Sequence, residues 1–178
     1  GSTECVACDL GQVASVPGSS ACSACVAGTY SDVLGQACVI CLAGFISTNG
    51  STECVACDPG QVAGVPGSSA GSACMAGTYS DVLGQACVIC LAGFISTNGS
   101  TECVACDPGQ VAGVPGSSEC TTCAAGKYSD HLGEACVDCL AGTISIAGST
   151  DCEFCDPGEV AGLAGSSASS ACVAGTQP

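Results

Sequence analysis

Cysteine is the residue type with which this chain could do chemistry, because 20 of its 178 residues are cysteines and most stand in Cys-x-x-Cys pairs. Such pairs can form disulfides, ligate zinc as a Cys₄ ribbon or take part in thioredoxin-like redox exchange. Redox exchange is not expected, since no alternation of strands and helices surrounds the pairs. Zinc is disfavoured because two pairs are reduced to the single cysteines Cys74 and Cys172, and a Cys₄ site needs every ligand. The cysteine content predicts a disulfide scaffold in an oxidising, extracellular or cell-surface compartment.

Other groups that could support catalysis are scarce. His131 is the single histidine, and it replaces a valine in the repeated segment Ser-Asp-Val-Leu-Gly. We therefore expect a surface substitution at His131 and not a general base. Serines are frequent but have no partner base, and no glycine-rich phosphate-binding loop is present. The sequence predicts no enzymatic activity, no cofactor, and no catalytic, cofactor-binding or metal site.

The cysteines belong to a tandem repeat of 49 residues. The repeats span residues 1–49, 50–98 and 99–147, and a partial fourth repeat spans 148–178. Each full repeat holds three Cys-x-x-Cys subunits of 16 to 17 residues, because the first cysteines of successive pairs are Cys5, Cys22, Cys38 and Cys54. The function must be one that benefits from repetition.

The subunits share a pattern that predicts short hairpins. Each has the form C-x-x-C-x-x-G, followed by an apolar residue, a small residue and a stretch rich in turn formers, such as Val16–Ser20. The segments between turns are strand-like and too short for a helix. With three Phe, three Tyr and no Trp, the chain lacks bulky core residues, so cross-links must replace the core. We predict a small disulfide-rich fold, mostly β and irregular, forming an elongated rod of stacked short β-hairpin subunits with almost no helix.

Two disulfide connectivities compete. In a sequential scheme the second cysteine of each pair bonds to the first cysteine of the next pair, whereas in a nested scheme two neighbouring pairs form a closed knot. The sequential scheme is favoured because it gives near-identical repeats equivalent surroundings. Its pairs are Cys8–Cys22, Cys25–Cys38, Cys41–Cys54, Cys74–Cys87, Cys90–Cys103, Cys106–Cys120, Cys123–Cys136 and Cys139–Cys152.

The sequential scheme leaves four cysteines without partners. Cys5, Cys57, Cys155 and Cys172 are therefore candidates for unpaired or intermolecular thiols. Cys57 and Cys155 lose their partners because Gly71 and Ser169 stand where Cys22 and Cys120 stand in the alternate copies. The true period is consequently either 49 or 98 residues.

Charge and hydropathy limit the classes of partner that the chain can bind. Sixteen acidic residues against one lysine give a net charge of −15, which excludes nucleic acid as a partner. No apolar run reaches the roughly 18 to 20 residues of a membrane span, so we expect no direct span in this segment. Asn49-Gly-Ser and Asn98-Gly-Ser match the N-glycosylation rule and fall in predicted turns, which makes Asn49 and Asn98 the candidate glycan sites.

The run Cys25-Val-Ala-Gly-Thr-Tyr-Ser31, continued by Cys38-Val-Ile-Cys-Leu-Ala-Gly44, resembles the cysteine-rich repeats called ephrin-receptor-like, which are related to tumour necrosis factor receptor modules. It is also similar to Cys-x-x-Cys surface and appendage proteins of protists and algae. Members usually carry proline after the second cysteine, where this chain has Val26, Leu42 or Asp9. The resemblance implies an extracellular modular architecture.

These observations favour a structural protein: the disulfide-stapled, glycosylated shaft of a fibril, cell-surface appendage or coat that associates with itself. Near-identical units can make identical contacts along an axis. The alternative is the stalk or the adhesion and ligand-binding region of a cell-surface receptor. A binding role would use a divergent stretch, and the stretch that diverges is 119–159.

Overall fold

The structure is a computed structural model that describes residues 4–172. These residues contain no helix, and their strands pair in chain order into ten short antiparallel hairpins. The predicted fold class, small, disulfide-rich and mostly strand or irregular, is confirmed. Residues 173–178 of the predicted partial fourth repeat lie outside the described residues.

Every strand is two residues long. The strands are β1 (Gln12–Val13), β2 (Ser23–Ala24), β3 (Thr29–Tyr30), β4 (Val39–Ile40), β5 (Phe45–Ile46), β6 (Val55–Ala56), β7 (Gln61–Val62), β8 (Ser72–Ala73), β9 (Thr78–Tyr79), β10 (Val88–Ile89), β11 (Phe94–Ile95), β12 (Val104–Ala105), β13 (Gln110–Val111), β14 (Thr121–Thr122), β15 (Lys127–Tyr128), β16 (Val137–Asp138), β17 (Thr143–Ile144), β18 (Glu153–Phe154), β19 (Glu159–Val160) and β20 (Ser170–Ala171).

The C-x-x-C-x-x-G pattern explains where the strands lie. In the β1–β2 hairpin the first strand begins directly after Gly11, and the second strand is the pair of residues between Cys22 and Cys25. The glycine has a φ of +70°, a conformation that favours glycine, and it turns the chain into the first strand. The Cys25 amide donates a hydrogen bond to the Gly11 carbonyl at 2.8 Å and so closes the hairpin. Each Cys-x-x-Cys is thus both the second strand of one hairpin and the entry to the next.

The buried interior consists of small side chains. The largest fully buried side chains are the second cysteines of the pairs and the serines that follow the first strands. Bulky apolar residues lie mainly on the surface, as Ile40 at 58% exposure and Leu42 at 72% illustrate. Sulfur, serine hydroxyls, alanine and backbone therefore fill the space that aliphatic and aromatic side chains occupy in most domains.

The described residues divide into two compact units. The first comprises residues 4–75, Tyr79–Val88 and Asn98–Thr101. Within it, backbone hydrogen bonds join each hairpin to the next: the Gly28 amide donates to the Ser47 carbonyl at 3.0 Å, and the Gly50 amide donates to the Cys25 carbonyl at 2.8 Å. These bonds connect backbone to backbone, so they do not depend on the surface side chains.

The second unit comprises Ala76–Thr78, Ile89–Thr97 and residues 102–172. It repeats the same bonds with different residues. The Gly126 amide donates to the Ser145 carbonyl at 2.9 Å, and the Gly148 amide donates to the Cys123 carbonyl at 2.8 Å. Each unit is therefore built from one repeated set of hairpin contacts.

Glycine also permits a close approach between hairpins that are two apart in the chain. A Cβ atom added to Gly28 would lie 2.0 Å from the carbonyl oxygen of Gly67, a distance that real Cβ atoms essentially never show. The same approach recurs in the second unit, where a Cβ at Gly126 would lie 2.1 Å from the carbonyl oxygen of Gly165. A side chain at either position would force the two backbones apart.

Candidate functional site

The disulfides form a ladder along the chain and are the main chemical feature of the described residues. The bridges are Cys8–Cys22, Cys25–Cys38, Cys41–Cys54, Cys74–Cys87, Cys90–Cys103, Cys106–Cys120, Cys123–Cys136 and Cys139–Cys152. These are the pairs of the sequential scheme. The Cα–Cα distance is 5.7 Å in Cys8–Cys22 and 5.8 Å in Cys139–Cys152, within the usual range for a disulfide.

Strand geometry explains why the two cysteines of one pair do not bond to each other. Residues three apart in an extended segment project to opposite faces. Cys22 is exposed and Cys25 is buried, although only two residues separate them. Cys22 therefore bonds back to Cys8, and Cys25 bonds forward to Cys38. This alternation carries the ladder from one hairpin to the next.

Four cysteines are free, and their surroundings differ. Cys5 is exposed, Cys155 and Cys172 are half-buried, and Cys57 is buried with 1% exposure. The Cys57 sulfur would lie 3.1 Å from a Cβ atom at Gly71. Cys57 thus keeps the position of a bridged cysteine whose partner is missing. A second chain could reach the Cys57 sulfur only after local opening of the hairpin, whereas Cys5 is accessible as it stands.

Asn49, one of the two candidate glycan sites, lies at an exposed turn. The Ser51 amide donates to the Thr48 carbonyl at 3.3 Å across this turn, and Gly50 has a φ of +74°. The side-chain oxygen of Asn49 accepts a hydrogen bond from the Ala27 amide at 2.7 Å. This hydrogen bond orients the Asn49 side chain through its oxygen. An N-linked glycan attaches to the other polar atom of the side chain, the nitrogen. Asn98, the second candidate, is also exposed.

An apolar groove of about 600 Å³ lies on the first unit beside the β3–β4 hairpin. Its apolar lining consists of Tyr30, Val39, Ile40, Leu42 and Phe45. The third repeat carries polar residues at two of these positions, because Asp138 aligns with Ile40 and Thr143 aligns with Phe45. The exposed apolar surface is therefore a property of particular repeats and not of the fold.

The third repeat instead carries charged contacts. The Lys127 ammonium group lies 2.6 Å from the Asp138 carboxylate across the β15–β16 hairpin, where the two residues are directly paired. His131 donates from Nδ1 to the Asp130 carboxylate at 2.8 Å. That hydrogen bond raises the pKa of His131 above its ordinary value and lowers the pKa of Asp130. Lys127 and His131 thus each have an acidic partner.

The structure also brings Glu134 to the side of His131. The ligand atoms of Asp130, His131 and Glu134 all lie within 4.8 Å of one another. The sequence pattern marks His131 alone, and it predicts a surface substitution there. The signal that could have found the group is the alignment of the repeats, since Glu134 replaces the Gln36 and Gln85 of the earlier copies in the same loop.

No protein-family model matches the chain, and no curated protein matches its sequence. Residues 4–172 include no helix long and apolar enough to cross a bilayer. The tandem cysteine-rich hairpins are consistent with cysteine-rich repeats as a broad class. Their eight disulfides suggest an oxidising extracellular or secreted environment.

Proposed function

We propose that the chain is the disulfide-stapled shaft of an extracellular structural assembly: a fibril, a cell-surface appendage or a coat. The observation that carries this proposal is the repeated set of hairpin contacts within each unit. A chain built from near-identical hairpin units can make equivalent contacts with copies of itself, which is the requirement for a filament or a lattice.

The exposed apolar groove supports self-association. Large contiguous apolar patches are uncommon on soluble monomers, and a groove lined by residues such as Ile40 and Phe45 offers apolar surface for contact with another chain. The net charge of −15 opposes that contact. Because salt screens repulsion between exposed charges, we expect assembly to increase with ionic strength.

Glycosylation fits the same proposal. Asn49 and Asn98 lie in exposed turns of the first two repeats, whereas the third repeat has Ala147 at the equivalent position. Glycans at Asn49 and Asn98 would keep these turns in solvent and restrict association to the apolar faces. Intact-mass measurement of the secreted chain, before and after enzymatic removal of N-glycans, tests this part.

Electron microscopy and sedimentation velocity of the oxidised chain, at rising salt, test the assembly. We expect periodic fibres or large oligomers in the wild type. The matched control is a double variant, Ile40→Asp with Ile89→Asp, which introduces the residue that the third repeat carries as Asp138. It should remain folded and lose assembly. A chain that stays monomeric at every concentration and salt would contradict the proposal.

A receptor stalk is the second candidate, and the divergence of residues 119–159 favours it. This stretch contains Lys127, His131 and Phe154, and Phe154 is 87% exposed. A stretch that differs from its sister repeats and presents an aromatic side chain to solvent is suited to a specific ligand. Microscopy of native material separates the two candidates, because a stalk predicts discrete membrane-tethered particles and a shaft predicts long periodic fibres.

A further inference from the structure

The loop between β15 and β16 gathers three groups that ligate metals. Asp130, His131 and Glu134 are all exposed, and their ligand atoms lie within 4.8 Å of one another. Neighbouring ligand atoms in a tetrahedral zinc site are separated by about 3.3 Å, since each lies about 2.0 to 2.1 Å from the ion. Rotation of exposed side chains covers the difference without movement of the backbone.

The backbone of the loop is held in place independently of these three side chains. The Gly133 amide donates to the Cys106 carbonyl at 2.9 Å, and the buried Ser129 hydroxyl donates to the His131 carbonyl at 3.2 Å. The first repeat makes the same bonds with Gly35 and Ser31. The first and third repeats therefore hold this loop by the same hydrogen bonds, and the third repeat carries His131 and Glu134 on it.

The comparison between repeats shows that two of the three ligands are specific to this loop. The first and second repeats read Asp-Val-Leu-Gly-Gln at residues 32–36 and 81–85, whereas the third reads Asp-His-Leu-Gly-Glu at 130–134. One change replaces valine, which has no ligand atom, with His131. The other replaces glutamine, a weaker metal ligand, with Glu134. They fall at the positions that the loop brings beside Asp130.

We propose that Asp130, His131 and Glu134 form a binding site for a divalent transition-metal cation of the zinc class. One imidazole and two carboxylates are ligands that zinc accepts, and three protein ligands leave a position open for water or for a donor from another molecule. The imidazole distinguishes this site from calcium and magnesium sites, which use oxygen ligands. The acidic surface of the chain favours the approach of any cation. This inference does not depend on the proposed structural role.

Zinc must replace the hydrogen bond between His131 and Asp130. Zinc binds the imidazole only in its deprotonated form, so protons compete with the metal in acidic solution. The zinc titration is therefore carried out at alkaline pH, which favours the deprotonated imidazole. The exposed thiol of Cys5 could also bind zinc, and alkylation of the free thiols of the oxidised chain removes that competitor.

The test is a titration of the oxidised, alkylated chain with zinc chloride, followed by calorimetry and by the imidazole proton signals in NMR. His131 is the single histidine, so those signals report on one site. We expect one zinc ion per chain and a shift of the His131 signals, and no shift of these signals with magnesium chloride.

Two variants use residues that the sister repeats already carry in the same loop, so both are compatible with the fold. His131→Val should abolish stoichiometric binding, and Glu134→Gln should weaken it at least about tenfold. Gln36→Glu in the first repeat, which adds the acid without the histidine, should create no second site. Unchanged binding in His131→Val, or imidazole signals that do not move at saturating zinc, would overturn the proposal.

Discussion

The β1–β2 and β7–β8 hairpins have the same strand residues, but only the first is closed by a disulfide. Cys8–Cys22 bridges the first hairpin, whereas Gly71 leaves Cys57 without a partner in the second. The strands are nevertheless paired in the same register, Gln with Ala and Val with Ser. The closing hydrogen bond, from the cysteine amide after the second strand to the glycine carbonyl before the first, is 2.8 Å long in both.

The close contacts of the two hairpins agree as well. A Cβ atom at Gly11 would lie 2.2 Å from the Gly50 carbonyl oxygen, and a Cβ atom at Gly60 would lie 2.2 Å from the Gly99 carbonyl oxygen. Glycine contacts and backbone hydrogen bonds therefore determine the geometry of these hairpins. The disulfide adds stability chiefly by restricting the unfolded chain.

Substitution of the glycine that lies against a carbonyl oxygen should have the largest effect on stability. The effect should be similar in the two hairpins. Gly60→Ala and Gly11→Ala each place a methyl group against a carbonyl oxygen, at a residue whose φ is positive. We expect either change to destabilise its hairpin by about 3 to 5 kcal/mol, which is the range for backbone strain combined with a steric clash. Amide hydrogen exchange measures this locally, because a chain of repeated hairpins need not unfold in one step.

Gly64→Ala is the control for that experiment. Gly64 has no positive φ, no atom lies within 4 Å of its would-be Cβ, and the first repeat carries Ser15 at this position. The change should be neutral or should stabilise by less than about 1 kcal/mol. Equal exchange rates for Gly60→Ala and Gly64→Ala would refute the role assigned to the glycine contact.

Restoring the missing bridge should have the next largest effect. In Gly71→Cys the new Cβ atom would lie 3.1 Å from the Cys57 sulfur, close to the about 3 Å that separates these atoms across a disulfide. Only the mobile end of the Gln61 side chain must move. The new bridge closes a loop like that of Cys8–Cys22, so we expect a gain of up to about 3 kcal/mol in the free energy of unfolding.

Counting free thiols in the oxidised protein tests whether this bridge forms, since Gly71→Cys should show one fewer than the wild type. Thermal unfolding measures the gain, and Gly71→Ala is the control without a sulfur. The reverse change, Cys22→Gly, should cost a similar amount and should leave the register of β1 and β2 unchanged. A new thiol that stays reactive, with no gain in stability, would mean that Cys57 is not poised for a bridge.

The positions of the hairpins could be predicted from the sequence. Cysteine and glycine recur at fixed spacing, and each signals a local event: a bridge within reach of one hairpin, or a turn with positive φ. Two of the segments between turns, which the sequence pattern predicts to be strand-like, are β3 at Thr29–Tyr30 and β4 at Val39–Ile40. These features are local, so a pattern of about 16 residues is enough to reveal them.

The contacts between hairpins could not be predicted in this way. Gly11 meets Gly50 through backbone atoms alone, so no side-chain pattern marks the pair. The burial of Ser31 and Ser47 also depends on backbone atoms. Their hydroxyl groups donate hydrogen bonds to backbone carbonyl oxygens, which allows these polar side chains to lie in the interior. The alignment of the repeats marks His131 and Glu134 as substitutions, but only the fold of the loop brings them beside each other.

If backbone contacts determine the hairpin, exchange of one exposed cross-strand pair of side chains should have the smallest effect on stability. Lys127 pairs with Asp138 across β15–β16, where β3–β4 pairs Thr29 with Ile40. The double variant Lys127→Thr with Asp138→Ile converts one pair into the other. Because the side chains of the ion pair are 41% and 55% exposed, we expect a change of less than about 1 kcal/mol in the free energy of unfolding.

A double-mutant cycle at low and high salt measures the ion pair separately, and the coupling energy between Lys127 and Asp138 should shrink as salt is added. A loss as large as that of Gly60→Ala would show instead that the cross-strand side chains hold this hairpin together.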